Sequence, residues 1–286
     1  MRAAPERSAE LSVDASAATE VAVTKAPAPT TKRFTRRKRV IVTTVNLLAF
    51  FAIWELAPVI LDLPPLFLPR LSEVFAQIPA THEEGILVEN VLISLYIYLL
   101  GMGLAIGFSI PLGLVLGGIK VLDRIISPYL WVIYTTPLII LMPLILLWVG
   151  INDTAGVLLV FISAVPAIVV VVMEGVKTVD NSLLKAARSF GADKLRLFTR
   201  VILPSTIPFI GTGVKMGVSR GLIGLFVGEL FSSGNGIGMI IELASKTFNV
   251  SRVYAMLLMF VSFSLVMVGV SQYVEKRLSI WRTSTL

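Results

Sequence analysis

Six long apolar segments separated by short polar stretches constrain this chain more than any other feature of its sequence. We place them at residues 40–61, 91–119, 129–149, 154–176, 206–231 and 253–274. Each is close to or longer than the roughly 20 apolar residues that an α-helix needs to cross the hydrocarbon core of a bilayer. Because unpaired backbone groups are costly in lipid, segments of this kind form helices. The sequence therefore predicts an all-α, polytopic membrane protein with about six transmembrane helices.

Composition supports this conclusion and excludes several classes of enzyme. Of the residues, 56% are hydrophobic and only 15% are charged, and the mean hydropathy is +0.86. Soluble domains carry about 25% charged residues. The chain has no cysteine, so disulfides and thiolate metal sites are excluded, and its single histidine, His82, excludes zinc sites built from a histidine pair. We therefore expect neither catalytic residues nor a metal site.

The positive charges are distributed asymmetrically about the predicted spans. A net charge of +7 could by itself suggest a nucleic-acid partner. In a membrane protein it has a simpler explanation, because cytoplasmic loops accumulate lysine and arginine. With the amino terminus inside, the inner segments hold 20 Lys and Arg residues and the outer segments hold 3. The inner segments are the amino-terminal tail, residues 120–124, residues 177–200 and the carboxyl end. We therefore predict that both termini are cytoplasmic, and we expect no nucleic-acid partner.

Residues 1–39 precede the first predicted span. They are rich in Ala, Thr, Pro and Val without periodicity, and they end in a dense basic cluster from Lys32 to Arg39. We predict a disordered, basic cytoplasmic tail, in which the cluster fixes the topology and can also contact anionic lipid. Residues 40–286 are predicted to form one transmembrane domain.

Prolines recur inside the predicted spans, at Pro111, Pro137, Pro143 and Pro166. Proline removes a backbone hydrogen-bond donor and its ring clashes with the preceding turn of a helix. We therefore predict that some spans are bent or broken, which a simple membrane anchor would not require.

One inner loop, residues 180–204, is patterned as two short helices. In its first half Leu183, Ala186, Ala187 and Phe190 fall on one helical face, opposite polar and basic side chains. In its second half another apolar face lies opposite Arg196 and Arg200, and it is formed by Leu197, Phe198, Val201 and Ile202. The pattern predicts a helix, a tight turn and a second helix on the cytoplasmic side.

Capping residues mark the ends of these two helices. Residues Asp180 to Ser182 offer N-caps, Gly191 occupies the position of a left-handed C-terminal cap, and Asp193 can cap the second helix. We expect Pro204 to break the chain before the fifth span. Two roles remain open on these grounds: an amphipathic hairpin that lies on the lipid, or a docking element that fits a groove in a soluble partner.

The same loop resembles the EAA loop of ABC-importer permeases. The resemblance is carried by Ala186-Ala187, by Gly191 four residues further on, and by Val201-Ile202-Leu203-Pro204. Other motifs resemble the nitrate/sulfonate/taurine branch of these permeases. They are Pro128, Thr136-Pro137, Pro143-Leu144 and Trp148-Val149-Gly150 around the third span, Gly228-Glu229 and Gly236-Ile237-Gly238 after the fifth, and the closing Leu278 to Trp281. The resemblance extends from about Leu68 to Trp281.

This resemblance implies the fold of a type I ABC-importer permease, with residues 40–286 as the permease domain and a coupling helix in the loop at 180–204. It implies ABC ATPase subunits that bind the loop and use ATP and Mg²⁺, while this chain binds no cofactor. It also implies an extracytoplasmic substrate-binding protein, a small solute such as a sulfonate, taurine or nitrate, and the inner membrane of a bacterium. A permease homodimer is expected, because two ATPases and a path between two bundles favour two-fold symmetry.

Roles within the loop follow from the same resemblance. Ala186 and Ala187 would allow close packing against the ATPase, Gly191 would make the turn, and Leu203-Pro204 would lead into the fifth helix. Lys185 stands where the family usually has glutamate. The ATPase surface facing Lys185 would then carry a compensating charge.

Two basic residues and one acidic residue lie within the fifth predicted span, Lys215, Arg220 and Glu229. A charge in mid-bilayer is costly, so it faces protein or water. We hypothesise that Arg220 lines the translocation path and attracts an anionic substrate, with Lys215 and Glu229 as further candidates. The alternatives are that Lys215 extends toward the cytoplasmic surface, and that Arg220 forms a structural pair with an acidic group such as Glu229 of a neighbour.

An ion-coupled secondary transporter of a small organic solute is the alternative function. No internal repeat is evident, and the carboxylates of the spans are confined to their ends. A membrane-embedded enzyme would need a base beside Ser163 or Ser219, whereas His82 lies in an outer loop. The phosphate-binding motif GxxxxGK(S/T) does not occur in the sequence, so ATP would be hydrolysed by another chain.

Overall fold

A computed structural model describes residues 36–231 and 234–278. Within these ranges every regular element is helical. The helices are α1 (Arg36–Ile60), α2 (Leu71–Glu83), α3 (Ile86–Gly118), α4 (Lys120–Thr135), α5 (Met142–Val149), α6 (Asp153–Lys177), α7 (Asn181–Ser189), α8 (Lys194–Leu197), α9 (Leu203–Phe231), α10 (Ile237–Lys246) and α11 (Val250–Leu278). The predicted all-α fold is confirmed.

Five helical stretches among the described residues are long and apolar enough to cross a membrane. They are Ile41–Ile60, Ile86–Gly118, Asp153–Lys177, Lys194–Phe231 and Val250–Arg277. A sixth candidate is formed by α4 and α5 together, which are bent by 96° at the break between them. The predicted number of about six spans is reached when this bent pair counts as one.

The third span begins earlier than its hydropathy predicts. α4 starts at Lys120, nine residues before the predicted start at residue 129. Its first turns contain Asp123 and Arg124, which have no place in the hydrocarbon core. A helix needs only its own backbone hydrogen bonds, so it can continue into the polar membrane surface, where a hydropathy criterion no longer detects it.

Of the four prolines that predicted bent or broken spans, Pro137 interrupts a helix in the described structure. Thr136 and Pro137 are extended, with ψ of 126° and 119°, because a proline disfavours the helical conformation of the residue before it. Pro111 and Pro166 lie within the continuous helices α3 and α6. Pro143 lies at the start of α5, where an amide would have no helical partner.

α6 lies at the centre of the bundle, and it is buried between α3 and α9 along most of its length. Glycines make this close approach possible. A Cβ added at Gly101 of α3 would lie 2.7 Å from the Cβ of Val160, and one at Gly224 of α9 would lie 2.5 Å from the carbonyl oxygen of Leu159. Such contacts do not occur between real atoms, so these glycines are required by helix packing.

The chain divides into two compact units at Phe50, within α1. All sites described below lie in the unit from Phe51 onward. Residues 1–35 of the predicted tail lie outside the described residues, whereas Arg36–Arg39 form the first turn of α1. Motif residues 279–281 also lie outside the described residues.

Candidate functional site

The loop between α6 and α9 has the helix, turn and second helix that the sequence predicts. The carboxylate of Asp180 accepts a hydrogen bond from the backbone N–H of Ser182 at 2.8 Å, and this bond lowers the pKa of Asp180. Gly191 follows α7 with a φ of +77°. The carboxylate of Asp193 accepts a bond from the N–H of Arg196 at 2.7 Å and starts α8. The N-cap at Asp193 and the left-handed turn are confirmed, and of the three residues that were predicted as N-caps of the first helix, Asp180 has this role.

The second short helix continues into the fifth span. Between α8 and α9 lies a π-helical turn, Phe198–Ile202, in which the N–H of Leu203 donates to the carbonyl of Phe198. Pro204 is the second residue of α9. The prediction that Pro204 breaks the chain is therefore wrong. The π-helical turn shifts the hydrogen-bond register by one residue, which accommodates a residue that has no N–H.

α7 and the turn after it present an exposed surface. None of the side chains of α7 is buried. Leu183 is 52% exposed and Phe190 is 92% exposed, beside the exposed Lys185 and Arg188. A nine-residue helix is marginal on its own, and large exposed apolar side chains mark contact surfaces. The loop is therefore suited to being covered, either by a protein partner or by lipid.

A cavity of about 500 Å³ opens beside the break between α4 and α5. Tyr134, Thr135 and Thr136 at the end of α4, Ser163 of α6 and Arg220 of α9 are its polar lining residues, and the remaining wall is apolar. The hydroxyl of Thr136 donates to the carbonyl of Val132 at 2.7 Å and so caps the end of α4. The break between α4 and α5 thus adds the hydroxyl-bearing residues Thr135 and Thr136 to a cavity wall that already contains polar groups of α4, α6 and α9.

Arg220 is the basic side chain of this cavity in the described structure. Its guanidinium carbon lies 4.9 Å from the centroid of the Tyr134 ring, within cation–π distance. Among the described residues, no carboxylate lines the cavity and none of the ion pairs includes Arg220. A cation, a hydroxyl group and apolar walls can together bind a small anion that has a short apolar part.

The other two charged residues predicted in this span lie elsewhere. Lys215 Nζ is 3.2 Å from Glu275 Oε2 on α11, so Lys215 pairs with a neighbouring helix. Glu229 is 1% exposed and accepts a hydrogen bond from the N–H of Gly238 at 2.9 Å. Nine residues separate Arg220 from Glu229, which places them about 180° apart on α9. Of the three candidates, the structure brings only Arg220 to the cavity.

An ion pair beside the loop joins α4 to α6. Lys177 Nζ, at the end of α6, lies 2.9 Å from Asp123 Oδ1 near the start of α4. The hydroxyl of Ser127 donates to the same carboxylate and lies 3.3 Å from the sulfur of Met173 on α6. α4 carries Tyr134 near its other end, so this pair connects the helix that lines the cavity to the residues just before the loop.

Sequence reasoning missed Tyr134, Asp123 and Lys177 as candidate site residues. Tyr134 becomes recognisable only when the tertiary structure places its ring beside Arg220. Asp123 and Lys177 are 54 residues apart in the chain. One feature of the sequence could have identified this pair: Asp123 and Lys177 carry opposite charges and lie at the ends of two spans, at the same predicted membrane surface.

Comparison with known proteins identifies a family to which the chain belongs and relatives to which it is similar. A model of the family described as "Binding-protein-dependent transport system inner membrane component" matches residues 109–280, which include the loop and α9. The chain is similar to the taurine transport system permease protein TauC of Escherichia coli (strain K12), with 26% identity over 219 residues, 75% of this chain and 80% of TauC. It is also similar to a Bacillus subtilis (strain 168) permease protein named for aliphatic sulfonates transport, with 28% identity over 200 residues, 70% of this chain and 72% of the relative.

The fold is similar to that of a solved ABC transporter. A chain of the MetNI methionine ABC transporter, in inward-facing conformations, superposes with a TM-score of 0.59 at 19% identity. The match covers 67% of this chain and 95% of that chain. At this level of identity the likeness concerns the fold, and it agrees with the permease fold expected from the sequence motifs.

Proposed function

Since the chain belongs to the family of binding-protein-dependent transport system inner membrane components, and is thus a permease subunit of an ABC importer, we propose that it carries a small anionic solute across the membrane. An extracytoplasmic binding protein delivers the solute. Partner ABC ATPase subunits use ATP and Mg²⁺ to drive its passage. The chain itself binds no cofactor and does no chemistry on the solute.

The anionic nature of the solute rests on Arg220 and its surroundings. A charged side chain at the centre of a span costs about 2.5–3.5 kcal/mol on insertion scales. A cation–π contact such as that with Tyr134 contributes about 0.5–2 kcal/mol. Because the aromatic ring offsets only part of the cost, the cavity favours an anion beside Arg220.

We expect a sulfonate to suit this cavity in charge and in polarity. The planar fork of a guanidinium donates two parallel hydrogen bonds to an oxyanion, so Arg220 suits the charged end of such a solute. The apolar wall and the Tyr134 ring suit a short organic part. Two relatives are named for taurine and aliphatic sulfonates transport, which supports a sulfonate as the cargo of this chain.

The loop at residues 180–204 is the proposed docking site of the ATPase. Leu183 and Phe190 would enter a groove of the partner, where Ala186 and Ala187 allow a close approach of α7. Because Lys185 is exposed at a position where the resemblance to the family leads us to expect glutamate, the groove facing it is expected to be acidic. A lipid-bound hairpin would leave the ATPase without this contact.

Helical continuity gives the loop a direct connection to the solute site. From Lys194 to Phe231 the backbone remains helical, through the π-helical turn and Leu203-Pro204, and this stretch contains Arg220. A displacement of α8 by the closing ATPase would therefore move α9 as well. Gly191, with its left-handed φ, is the turn between the docked helix α7 and this long stretch.

A second copy of the chain would complete the translocation path. The cavity of Arg220 is lined by α4, α6, α9 and the segment that leads into α5, and it is not fully enclosed. Two-fold pairing would place two such cavities on one path and provide two loops for two ATPase subunits. The expected assembly is a permease homodimer.

Both termini and the loop are proposed to face the cytoplasm, in the inner membrane of a bacterium. The excess of basic residues on that side supports this orientation. Because the chain has no cysteine, Phe190→Cys and Lys246→Cys each create a single thiol. In intact cells a membrane-impermeant maleimide is expected to label Lys246→Cys and not Phe190→Cys. The reverse pattern would contradict the orientation.

Arg220→Gln tests the anion site. We expect ATP-dependent uptake of taurine or a short alkylsulfonate to fall about 10-fold or more, since a charged hydrogen bond contributes about 1.5–3 kcal/mol. Arg220→Lys should keep part of the activity, because it retains the charge and loses the fork. The measurement is uptake by proteoliposomes that contain the permease, its ATPase and its binding protein.

A matched control for this test is Lys246→Gln. Lys246 is exposed on α10 and pairs with Glu242, away from the cavity. Its replacement should leave uptake unchanged. Normal uptake by Arg220→Gln would refute the anion site, and uptake driven by an ion gradient without the ATPase would refute ATP-driven transport.

A further inference from the structure

The start of α10 is held by side chains from two other helices. The N–H of Gly236 donates to Asn90 Oδ1 at 2.7 Å, and the N–H of Ile237 donates to Ser94 Oγ at 3.0 Å. The N–H of Gly238 donates to Glu229 Oε2 at 2.9 Å. Asn90 and Ser94 belong to α3 and Glu229 to α9. The first amides of a helix have no partner within it, so α10 receives its caps from α3 and α9.

Glycine is required where Glu229 meets this turn. Gly236 has a φ of +95°, and a Cβ there would lie 2.5 Å from the carboxyl carbon of Glu229. A Cβ at Gly238 would lie 2.5 Å from the Cβ of Glu229. The motif that pairs Gly228-Glu229 with Gly236-Ile237-Gly238 therefore has a physical basis: the carboxyl group needs two glycines to reach the amide of the second.

This cluster lies at the end of α9 opposite to the coupling loop. α9 has 29 residues and is therefore about 43 Å long, enough to cross the membrane. Glu229 is in its last turn, and Asn90 is in the second turn of α3. All three acceptor side chains, Asn90, Ser94 and Glu229, are buried, at 5%, 0% and 1% exposure. A buried amide deprived of its acceptor is costly, so the three bonds hold α3, α9 and α10 together strongly.

We propose that Glu229 is a positioning residue which, together with Asn90 and Ser94, makes α10 and the adjoining end of α3 move with α9 as one unit. This proposal rests on the proposed transport function. α9 carries Arg220 and is continuous with the docking loop, so the cluster passes the motion of α9 to the extracytoplasmic surface. Glu229 acts as a hydrogen-bond acceptor and not as a countercharge, since no ion pair includes it among the described residues.

Two variants of similar size separate these roles. In Glu229→Gln the amide oxygen can still accept from the N–H of Gly238, whereas Glu229→Leu removes the acceptor and leaves that amide buried and unpaired. The absence of cysteine allows a spin label on Lys246→Cys, an exposed site on α10, to report how firmly α10 is held. The assembled transporter, with ATPase and binding protein, is used throughout.

We expect Glu229→Gln to match the parent protein in label mobility and in taurine uptake, within about 2-fold. Glu229→Leu should increase label mobility and lower uptake about 10-fold, as the loss of a buried acceptor predicts. Basal ATP hydrolysis should persist in both, because the loop is at the other end of α9. This last result distinguishes a positioning role from a general loss of folding.

Three results would overturn the proposal. The first is that label mobility and uptake are unchanged in Glu229→Leu. The second is that Glu229→Gln is as defective as Glu229→Leu, which would show that the charge is needed. If Glu229→Leu does not assemble, Ser94→Ala is used in its place. Unchanged label mobility in Ser94→Ala is the third result that would overturn the proposal. Failure of the unmodified transporter to take up any sulfonate would count against the proposed cargo, while label mobility would still test the cluster.

Discussion

Replacing Gly191 tests whether the turn in the loop at residues 180–204 couples ATP hydrolysis to transport. Nothing lies within 4 Å of the position of a Cβ at Gly191, so size does not constrain this residue. Its φ of +77° does. A left-handed conformation costs an L-residue such as alanine about 1–2 kcal/mol, and asparagine tolerates it better. The expected order of coupling is therefore glycine, asparagine, alanine and proline.

Proline should have the largest effect, for two reasons. It fixes φ near −65°, which is incompatible with this turn, and it removes the N–H that donates to the carbonyl of Arg188 at 2.9 Å. The combined cost is about 3 kcal/mol or more, which corresponds to a loss of about 100-fold in the fraction of loops with the native turn. α7 buries no side chain in this chain, so membrane insertion should be unaffected.

The assay compares substrate uptake with ATP hydrolysis in proteoliposomes, and it normalises both to the amount of permease inserted. Gly191→Pro should hydrolyse ATP without transport, and Gly191→Asn should keep most of the transport. Normal uptake by Gly191→Pro would refute the coupling role of the turn. Loss of membrane insertion in all three variants would instead make the loop a folding element.

Two further predictions concern the membrane bundle. Charge reversal in Asp123→Lys or Lys177→Asp should lower uptake several-fold by separating α4 from α6. The double reversal should restore part of it, because Lys177 also pairs with Glu174 of its own helix at 3.2 Å. No rescue at all in a well-inserted double variant would contradict the link. Gly224→Ala should destabilise the bundle by about 1–3 kcal/mol, because its Cβ would meet a carbonyl oxygen of α6. Gly107→Ala, with nothing within 4 Å of the added carbon, should not. Thermal unfolding in detergent compares them, and equal midpoints would contradict the packing described here.

The elements that were predicted correctly depend on local chemistry. Hydropathy indicates a membrane span because every residue of a lipid-exposed helix must tolerate hydrocarbon. The helix–turn–helix of the loop was also predictable, since an N-cap aspartate and a left-handed glycine act within a few residues of the helix end. Asp180, Gly191 and Asp193 occupy the predicted roles because those roles need no distant partner.

The features that were missed depend on what surrounds a residue. Pro204 was expected to end a helix, but a π-helical turn before it lets the helix continue. Glu229 was a candidate for the translocation path, and it instead caps α10 through a contact that local pattern does not encode. Tyr134 had no distinguishing feature until the tertiary structure placed its ring 4.9 Å from the guanidinium carbon of Arg220.

Hydropathy and short motifs were sufficient to identify a polytopic ABC-importer permease and the helix–turn–helix of residues 180–204, because transfer to lipid and helix capping are properties of single residues and their near neighbours. Three charged side chains in one span looked equivalent by the same criteria. Only helix packing separated them: Lys215 pairs with α11, Glu229 is buried against α10, and Arg220 faces a cavity. The reason is geometric, since the rotation of a helix about its axis decides which neighbour each side chain meets, and that rotation is set by packing between helices distant in sequence.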